Sequence, residues 1–266
     1  MTADLHCAVG GAGPGLVLLH PVGLDHTFWG PLSATAARTY RVVAIDLRGH
    51  GLSPPARKGT LFEDYVDDIH AAIGQHGVAP AVVLGLSFGG MLAQGLALRH
   101  PDDVAALIAC GCPGGIGLDL RPTMRERGLA AERGGMAAVL EATLERWFTA
   151  PFRSSASVQR VCDRLLDNDE ASWSAAWHAI AEFDALPRLQ DIGVPTLVIA
   201  GEKDAATPLA ASKAIADAIP AARLTVLPGA PHMMQIETAT IFTTAIAAFL
   251  EEHRNRLARA PSRGGG

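Results

Sequence analysis

The 266-residue sequence is poor in cysteine and in aromatic residues, and it contains no block of basic residues. None of its four cysteines, Cys7, Cys110, Cys112 and Cys162, stands at the spacing of a redox or zinc motif. We therefore interpret them as small buried apolar residues. The net charge of −5 comes without a basic block, so neither a nucleic acid nor an anionic membrane is expected as a partner.

Targeting and metal-binding segments are missing as well. No stretch is long and apolar enough to span a bilayer, and the N-terminus has neither the basic segment nor the apolar core of a signal peptide. We therefore expect a soluble cytoplasmic protein. The ten histidines form no His-Glu-x-x-His and no pair at ligand spacing near a carboxylate cluster. We predict no metal and no cofactor.

One stretch organises what is present. The apolar run 82–86 meets a Gly-x-Ser-x-Gly pentapeptide centred on Ser87, and helix-forming residues follow it. This pattern predicts a buried strand, a sharp turn and a helix, with Ser87 at the tip of the turn. A side chain at Gly85 or Gly89 would collide across such a turn, which explains the two glycines.

The rest of the chain alternates strand and helix patterns. The predicted strands besides 82–86 are Leu5–Val9, Leu16–His20, Arg41–Asp46, Val104–Cys110, Val194–Ala200 and Arg223–Leu227. The predicted helices cover 32–38, 62–76, the stretch from Ser87 to Arg99, 209–219 and 238–252. The alternation predicts an α/β fold with a mostly parallel, doubly wound sheet. The first two strands flank a glycine-rich turn and are predicted to pair as an antiparallel ribbon.

The pattern changes between residues 114 and 187. Strand signals vanish there, and three or four amphipathic helices appear. Their residues include Arg121, Arg125, Arg127, Arg133, Arg146, Trp147, Trp173 and Trp177. We predict a helical cap at 114–187, inserted between the core segments 1–113 and 188–256. The final segment, 257–266, is predicted to be a disordered tail.

Two loops after the returning strands offer partners for a nucleophilic serine, which needs a base and a group that orients the base. Asp204 follows one strand, and His232 follows the next. The order Ser87, Asp204, His232, each just past a strand end, is the one expected for a catalytic triad on a doubly wound sheet. Glu202 lies in the same loop as Asp204 and is the alternative acid.

Acyl transfer also needs N–H donors for the developing oxyanion. The Phe88 amide follows the nucleophile, and the Val22 amide is the first donor after the second strand because Pro21 has no N–H. These two amides are the predicted oxyanion hole. We interpret Asp46 and His50 as structural residues that tie down their own loop.

Four motifs carry a resemblance to the α/β-hydrolase superfamily over nearly the whole chain: Gly85-Leu86-Ser87-Phe88-Gly89-Gly90, Asp46-Leu47-Arg48-Gly49-His50-Gly51-Leu52-Ser53, Gly201-Glu202-Lys203-Asp204 and Gly229-Ala230-Pro231-His232. Within the superfamily the chain most resembles the 3-oxoadipate enol-lactonases of aromatic catabolism. The segments that carry this likeness are Val22-Gly23-Leu24-Asp25 with Trp29, Gly89-Gly90-Met91, Gly135-Met136, Glu145-Arg146-Trp147-Phe148-Thr149, Ala179-Ile180, Asp184-Ala185-Leu186 and Ala206-Thr207-Pro208. The resemblance implies the α/β-hydrolase fold.

The chain also departs from those lactonases. His20-Pro21 stands where they commonly carry small polar residues, Trp177 and His178 differ from the expected cap residues, and Arg133 is displaced from the nearest arginine of the family. The resemblance implies hydrolysis of a small lactone or ester. Its more specific implication is 3-oxoadipate enol-lactone or a related carboxylated lactone as substrate.

A carboxylated substrate needs a cation in its pocket, and cap arginines can bind a carboxylate bidentately. We select Arg133 and Arg146 as candidate substrate-binding residues, with Trp147 as a packing wall. The alternative is that most cap arginines lie on solvated helix faces.

We predict a serine hydrolase in which Ser87 attacks, His232 transfers the proton and Asp204 holds the imidazole. A serine at the turn argues against enzymes that use a carboxylate nucleophile, such as epoxide hydrolases. The alternatives are a carbon–carbon bond hydrolase of a ring-fission product, a general carboxylesterase, a cofactor-free perhydrolase and a non-catalytic ligand receptor. A homo-oligomer is left open.

Overall fold

A computed structural model describes residues 2–257, with side chains described for 2–253. Seven strands form one sheet: β1 Cys7–Gly10, β2 Gly15–Leu19, β3 Arg41–Ile45, β4 Ala81–Leu86, β5 Val104–Cys110, β6 Thr196–Gly201 and β7 Ala222–Leu227. Their order is β1-β3-β2-β4-β5-β6-β7, and every pair except β1–β3 is parallel. The predicted doubly wound α/β fold is confirmed.

Helices connect the strands. They are α1 Gly30–Ala36, α2 Phe62–His76, α3 Phe88–Arg99, α4 Arg121–Gly134, α5 Ala137–Trp147, α6 Ala156–Leu166, α7 Glu170–Glu182, α8 Leu209–Ala218, α9 Met234–Glu237 and α10 Ala239–Leu257. Four of them, α4 to α7, stand between β5 and β6, where the cap was predicted. No helix within 2–257 combines the length and the apolar character that crossing a membrane requires.

The central strands form the core. Every residue of β2 and of β4 is buried, which matches their continuous apolar sequences and the two covered faces of a parallel sheet. Because parallel strands end at the same edge of the sheet, the loops after β2, β4, β5, β6 and β7 meet there. This edge is where the candidate site residues follow their strands.

The predicted pairing of the first two strands is wrong. β1 lies antiparallel to β3, and β3 separates it from β2. The glycine-rich segment between β1 and β2 does not form a tight hairpin. It passes over residues 37–40, which lead into β3. A Cβ on Gly11 would lie 2.2 Å from the Tyr40 carbonyl oxygen, and one on Gly13 would lie 2.5 Å from that of Thr39.

The helical insertion, residues 121–182, is held by close helix packing and by one strand-like bridge at its base. A Cβ on Gly128 of α4 would lie 2.8 Å from the Cα of Ser174 in α7, so glycine permits this close approach. Gly115 and Asp184 form an isolated antiparallel bridge where the chain leaves and re-enters the core. The cap bounds of 114 and 187 stay a prediction. The predicted tail falls outside the described residues, apart from its first residue, which ends α10.

Candidate active site

Ser87 occupies a strained turn between β4 and α3. Its φ of 54° and ψ of −116° make it the one residue other than glycine with positive φ among those the structure describes. A Cβ on Gly85 would lie 2.0 Å from the Gly89 carbonyl oxygen, so the predicted collision across the turn is present. A Cβ on Gly89 would not collide across the turn but would lie 2.1 Å from the Leu19 carbonyl oxygen at the end of β2.

Ser87 is joined to the next strand of the sheet. Its backbone N–H donates to the Cys110 carbonyl oxygen at 2.8 Å, at the end of β5. The following residue, Gly111, lies against Asp204, since a Cβ there would be 3.3 Å from the Asp204 Oδ2. Thr207 Oγ1 donates to the Gly111 carbonyl oxygen at 2.9 Å. The end of β5 therefore contacts Ser87 on one side, through Cys110, and the Asp204 loop on the other, through Gly111.

Asp204 and His232 form a buried pair. His232 Nδ1 lies 2.8 Å from Asp204 Oδ2, and the two side chains are 2% and 1% exposed. The other oxygen, Oδ1, accepts the backbone N–H groups of Ala206 and Thr207, each at 2.8 Å. A carboxylate fixed in this way holds Nδ1 as the protonated nitrogen and leaves Nε2 as the proton acceptor.

The alternative acid, Glu202, has another partner. Its Oε2 accepts the backbone N–H of Gly229 at 2.7 Å, and the residue is exposed. The structure therefore brings Asp204, and not Glu202, to the imidazole of His232.

The turn after β2 carries the Val22 amide and is fixed from below by His20. The Leu47 N–H donates to His20 Nε2 at 2.9 Å, so the proton of the imidazole is on Nδ1, which donates to the Pro21 carbonyl oxygen at 2.8 Å. Complete burial lowers the pKa of His20 to about 4, which keeps the ring neutral. The second amide, that of Phe88, opens α3 and belongs to the first-turn N–H groups that have no acceptor within the helix.

Residues of the helical insertion fix the same turn from above. Gly23 has φ +81°, and a Cβ there would lie 2.7 Å from both Leu165 Cδ2 and Trp173 Cζ3. Asn168, buried between α6 and α7, donates its Nδ2–H to the Gly23 carbonyl oxygen at 2.9 Å. This contact could not be predicted from the sequence, because the two residues are 145 positions apart and no local pattern indicates it.

Asp46 and His50 have the structural contacts expected of them. Asp46 is fully buried and accepts the backbone N–H groups of His26 at 2.7 Å and Leu52 at 3.0 Å. His50 Nδ1 lies 3.0 Å from the Arg48 carbonyl oxygen.

The candidate substrate-binding residues separate into two groups. Trp147 is buried, its ring centroid is 6.4 Å from that of His232, and its carbonyl oxygen accepts the Met233 N–H at 3.1 Å. The adjacent Arg146 is half-buried, with a 3.4 Å contact from Nη2 to the Thr143 hydroxyl. Arg133 is exposed and forms an ion pair with Glu126.

A third arginine, Arg127, was not among the candidates. Its guanidinium carbon lies 4.8 Å from the centroid of the Trp177 ring, which packs edge-on against Trp173. Burial, together with the positive charge of Arg146, lowers the pKa of Arg127 to about 10. Burial also lowers the pKa of Arg146. Among the side chains described, neither arginine has a carboxylate within ion-pair distance.

A doubly wound sheet with a helical insertion after β5, and a strained serine between a strand and a helix, is the architecture of the α/β hydrolases. A family model described as the alpha/beta hydrolase family matches residues 16–244. The chain belongs to this family, as its resemblance implied.

Three known proteins show how similar the chain is to members of the family. It is 27% identical over 240 residues to a 3-oxoadipate enol-lactonase of Acinetobacter baylyi, with 90% of this chain and 89% of the relative covered. It is 30% identical over 248 residues to a pimeloyl-[acyl-carrier protein] methyl ester esterase of Chromobacterium violaceum, with 91% and 96% covered. The crystal structure of the enol-lactonase from Burkholderia xenovorans superposes with a TM-score of 0.87 at 32% identity, covering 94% of this chain and 97% of that one.

Proposed function

We propose that the protein is a serine-dependent carboxylic ester hydrolase that opens a small lactone bearing a free carboxylate, of which 3-oxoadipate enol-lactone is the leading example. Membership in the hydrolase family supports the reaction class. The similarity to enol-lactonases supports the choice of a lactone. The preference for a carboxylate rests on one observation. Arg127 and Arg146 are both half-buried, and among the described side chains neither has a carboxylate within ion-pair distance.

The proposed reaction uses the groups at the carboxyl edge of the sheet. Ser87 Oγ attacks the lactone carbonyl while His232 Nε2 takes its proton, and Asp204 keeps the imidazole in the correct tautomer. The oxyanion accepts hydrogen bonds from the Phe88 and Val22 amides. The imidazolium then protonates the ring oxygen that leaves, the lactone opens into an acyl-enzyme, and water activated by the same imidazole releases the acid.

The position of the two arginines suits a carboxylate at the far end of the substrate. Arg146 precedes Trp147, whose ring stands near that of His232. Arg127 lies over Trp177, and Trp173 links that ring to the turn that carries the Val22 amide. Two desolvated guanidinium groups that repel each other are stabilised when an anion binds between them.

The paired arginines of the insertion do not share this property. Their guanidinium groups already bind carboxylates, and the pairs are Arg121–Glu182, Arg125–Glu182, Arg133–Glu126, Arg153–Glu145 and Arg164–Asp167. An arginine that is already neutralised on the surface gains less from a substrate anion. We therefore replace Arg133 by Arg127 in the proposed carboxylate site and retain Arg146.

The test compares 3-oxoadipate enol-lactone with a neutral lactone, p-nitrophenyl acetate and a vinylogous diketone acid. We expect the carboxylated lactone to react best in the wild type. Arg127→Met and Arg146→Met should each raise its KM about 10- to 100-fold, the range for losing a charge-assisted hydrogen bond, with little change for the neutral esters. Arg133→Met is the matched control and should behave like the wild type.

Two results would contradict the proposal. Neutral esters reacting best, with both arginine variants indistinguishable from the wild type, would favour a general carboxylesterase. Cleavage of the diketone acid in preference to every ester would identify a carbon–carbon bond hydrolase.

A further inference from the structure

Four side chains connect two segments near the amino ends of the strands, at the edge of the sheet opposite to the candidate active site. Asp67 and His70 stand three residues apart on α2, and His100 and Asp103 stand three residues apart between α3 and β5. Residues with this spacing lie on the same side of a helix, and in a 3₁₀ turn such as 101–103 they are nearly eclipsed. The two pairs therefore face each other.

The contacts between the pairs are reciprocal. His70 Nδ1 lies 2.6 Å from Asp103 Oδ2, and His100 Nε2 lies 3.0 Å from Asp67 Oδ1. The two imidazole rings are stacked, with centroids 3.9 Å apart and planes at 5°. One ligand atom each from His70, His100 and Asp103 can be chosen so that all three atoms lie within 4.8 Å of one another.

We propose that His70, His100 and Asp103 form a binding site for a divalent transition-metal ion of the Zn²⁺ class. Two imidazole nitrogens and one carboxylate oxygen are a ligand set that Zn²⁺ accepts, at about 2.0–2.2 Å from each atom, with water completing the coordination. Ligands at these lengths stand roughly 3 to 3.5 Å from one another. Because each imidazole binds an ion in the plane of its own ring, metal binding would tilt the two stacked rings until their planes meet at the ion.

Charge and access favour a cation here. Arg99 forms two hydrogen bonds to Asp67, at 2.6 and 2.9 Å, and these contacts fix the carboxylate beside His100. Through its 3.0 Å contact with His100 Nε2, Asp67 orients this ring as a carboxylate does for a metal-bound imidazole. Asp103 supplies a second carboxylate, and the His70 side chain is 48% exposed, which gives an ion a path from solvent.

The site is structural in character. His100 ends α3 and Asp103 directly precedes β5, so the cluster lies at the amino ends of the strands, while Ser87 follows a carboxyl end. A bound ion would fasten α2 to the connection between α3 and β5. We predicted no metal from the sequence because local ligand spacings are absent, whereas these ligands come from two segments about 30 positions apart.

A second cluster, formed by His6, His26 and Asp46, is a poorer candidate. The carboxylate oxygens of Asp46 already accept both imidazole Nδ1 groups and the backbone N–H groups of His26 and Leu52. A metal ion would have to displace contacts that fix a fully buried carboxylate. This cluster serves instead as the competing location in the experiment.

The experiment titrates ZnCl₂ into the full chain, freed of metal by a chelator and carrying no affinity tag, by isothermal calorimetry. We expect one Zn²⁺ per chain and a higher Tm in its presence. His70→Ala and Asp103→Asn should each weaken binding at least about tenfold, since losing even an outer-shell partner has an effect of that size. His76→Ala, on the same helix outside the cluster, should bind like the wild type.

Cobalt provides a second readout, because Co²⁺ in such a site gives visible d–d absorption, which should disappear in His70→Ala. Tm values without metal establish that the variants fold. The proposal is overturned if the wild type takes up no Zn²⁺, if His70→Ala binds it as tightly as the wild type, or if only His26→Ala removes binding.

Discussion

At the scale of single residues, the candidate site depends on how Asp204 is held. Its two oxygens have separate tasks: Oδ1 accepts two backbone N–H groups, while Oδ2 meets the imidazole of His232. The first task fixes the carboxylate, and the second fixes the tautomer of the base. The neighbouring Glu202 does neither, because its carboxylate accepts the Gly229 amide at the surface.

This division predicts opposite outcomes for two variants of one loop. Asp204→Asn should lower kcat about 10⁴-fold, because an amide can hold the imidazole in the wrong tautomer, as measured for the equivalent change in another serine hydrolase. Glu202→Gln should leave kcat close to the wild type, since the glutamine oxygen still accepts the Gly229 amide. Steady-state hydrolysis of p-nitrophenyl acetate measures both. Equal losses in the two variants would show that Asp204 has no special role.

The sequence allowed some of these residues to be predicted and left others out. Ser87, Asp204 and His232 could be proposed because each follows a recognisable strand, and the structure brings Asp204 to His232. The half-buried position of Arg127 could not be predicted, because α4 is polar nearly all round, with only Gly128 and Ala131 buried. Such a helix has no apolar stripe to show which face turns inward.

At the scale of elements, the turn after β2 is shared between the core and the helical insertion. His20 holds it from the sheet side, while Asn168 and Trp173 hold it from the insertion. We infer that the position of the Val22 amide depends on how the α6–α7 junction packs. The insertion thus contributes to the conformation of this turn.

Asn168→Ala tests this dependence. Losing its hydrogen bond to the Gly23 carbonyl should lower kcat about tenfold with little change in KM, a smaller effect than the 10²- to 10³-fold loss of a whole oxyanion donor. Gln159→Ala, which removes an exposed contact to Asp163 on the same insertion, is the control. Circular dichroism would verify folding. A change confined to KM would place Asn168 in substrate binding instead.

Most elements could be predicted, because apolar runs and amphipathic patterns report local structure. The pairing of β1 could not, since a strand's pattern says that one face is buried and not which strand lies beside it. Only the crossing of Gly11 over the segment that enters β3 shows why β3 lies between β1 and β2.

At the scale of the whole molecule, buried histidines make stability depend on pH. Burial lowers the pKa of His20 to about 4 and that of His50 to about 3. Both folded-state values lie below the unfolded value of about 6.5, so the unfolded chain binds more protons between pH 6.5 and 4. The free energy of unfolding must therefore fall as the pH falls through this window.

We expect each histidine to reduce the free energy of unfolding by about 2 kcal/mol between pH 7 and pH 5. His50→Gln removes one titrating group, so its loss over this range should be smaller than that of the wild type by about this amount. Gln159→Ala, which removes no titrating group, is the control and should retain the wild-type slope. Urea unfolding at several pH values supplies the data. Identical slopes for the wild type and His50→Gln would contradict this account.

The central claim is that Ser87, His232 and Asp204 act together as one nucleophilic unit. The most direct measurement is reaction with a fluorophosphonate, followed by mass spectrometry of the peptides. We predict one covalent adduct per chain, on Ser87, formed quickly in the wild type, slowly in Asp204→Asn and not at all in Ser87→Ala. An unlabelled Ser87, or labelling that persists in Ser87→Ala, would contradict it.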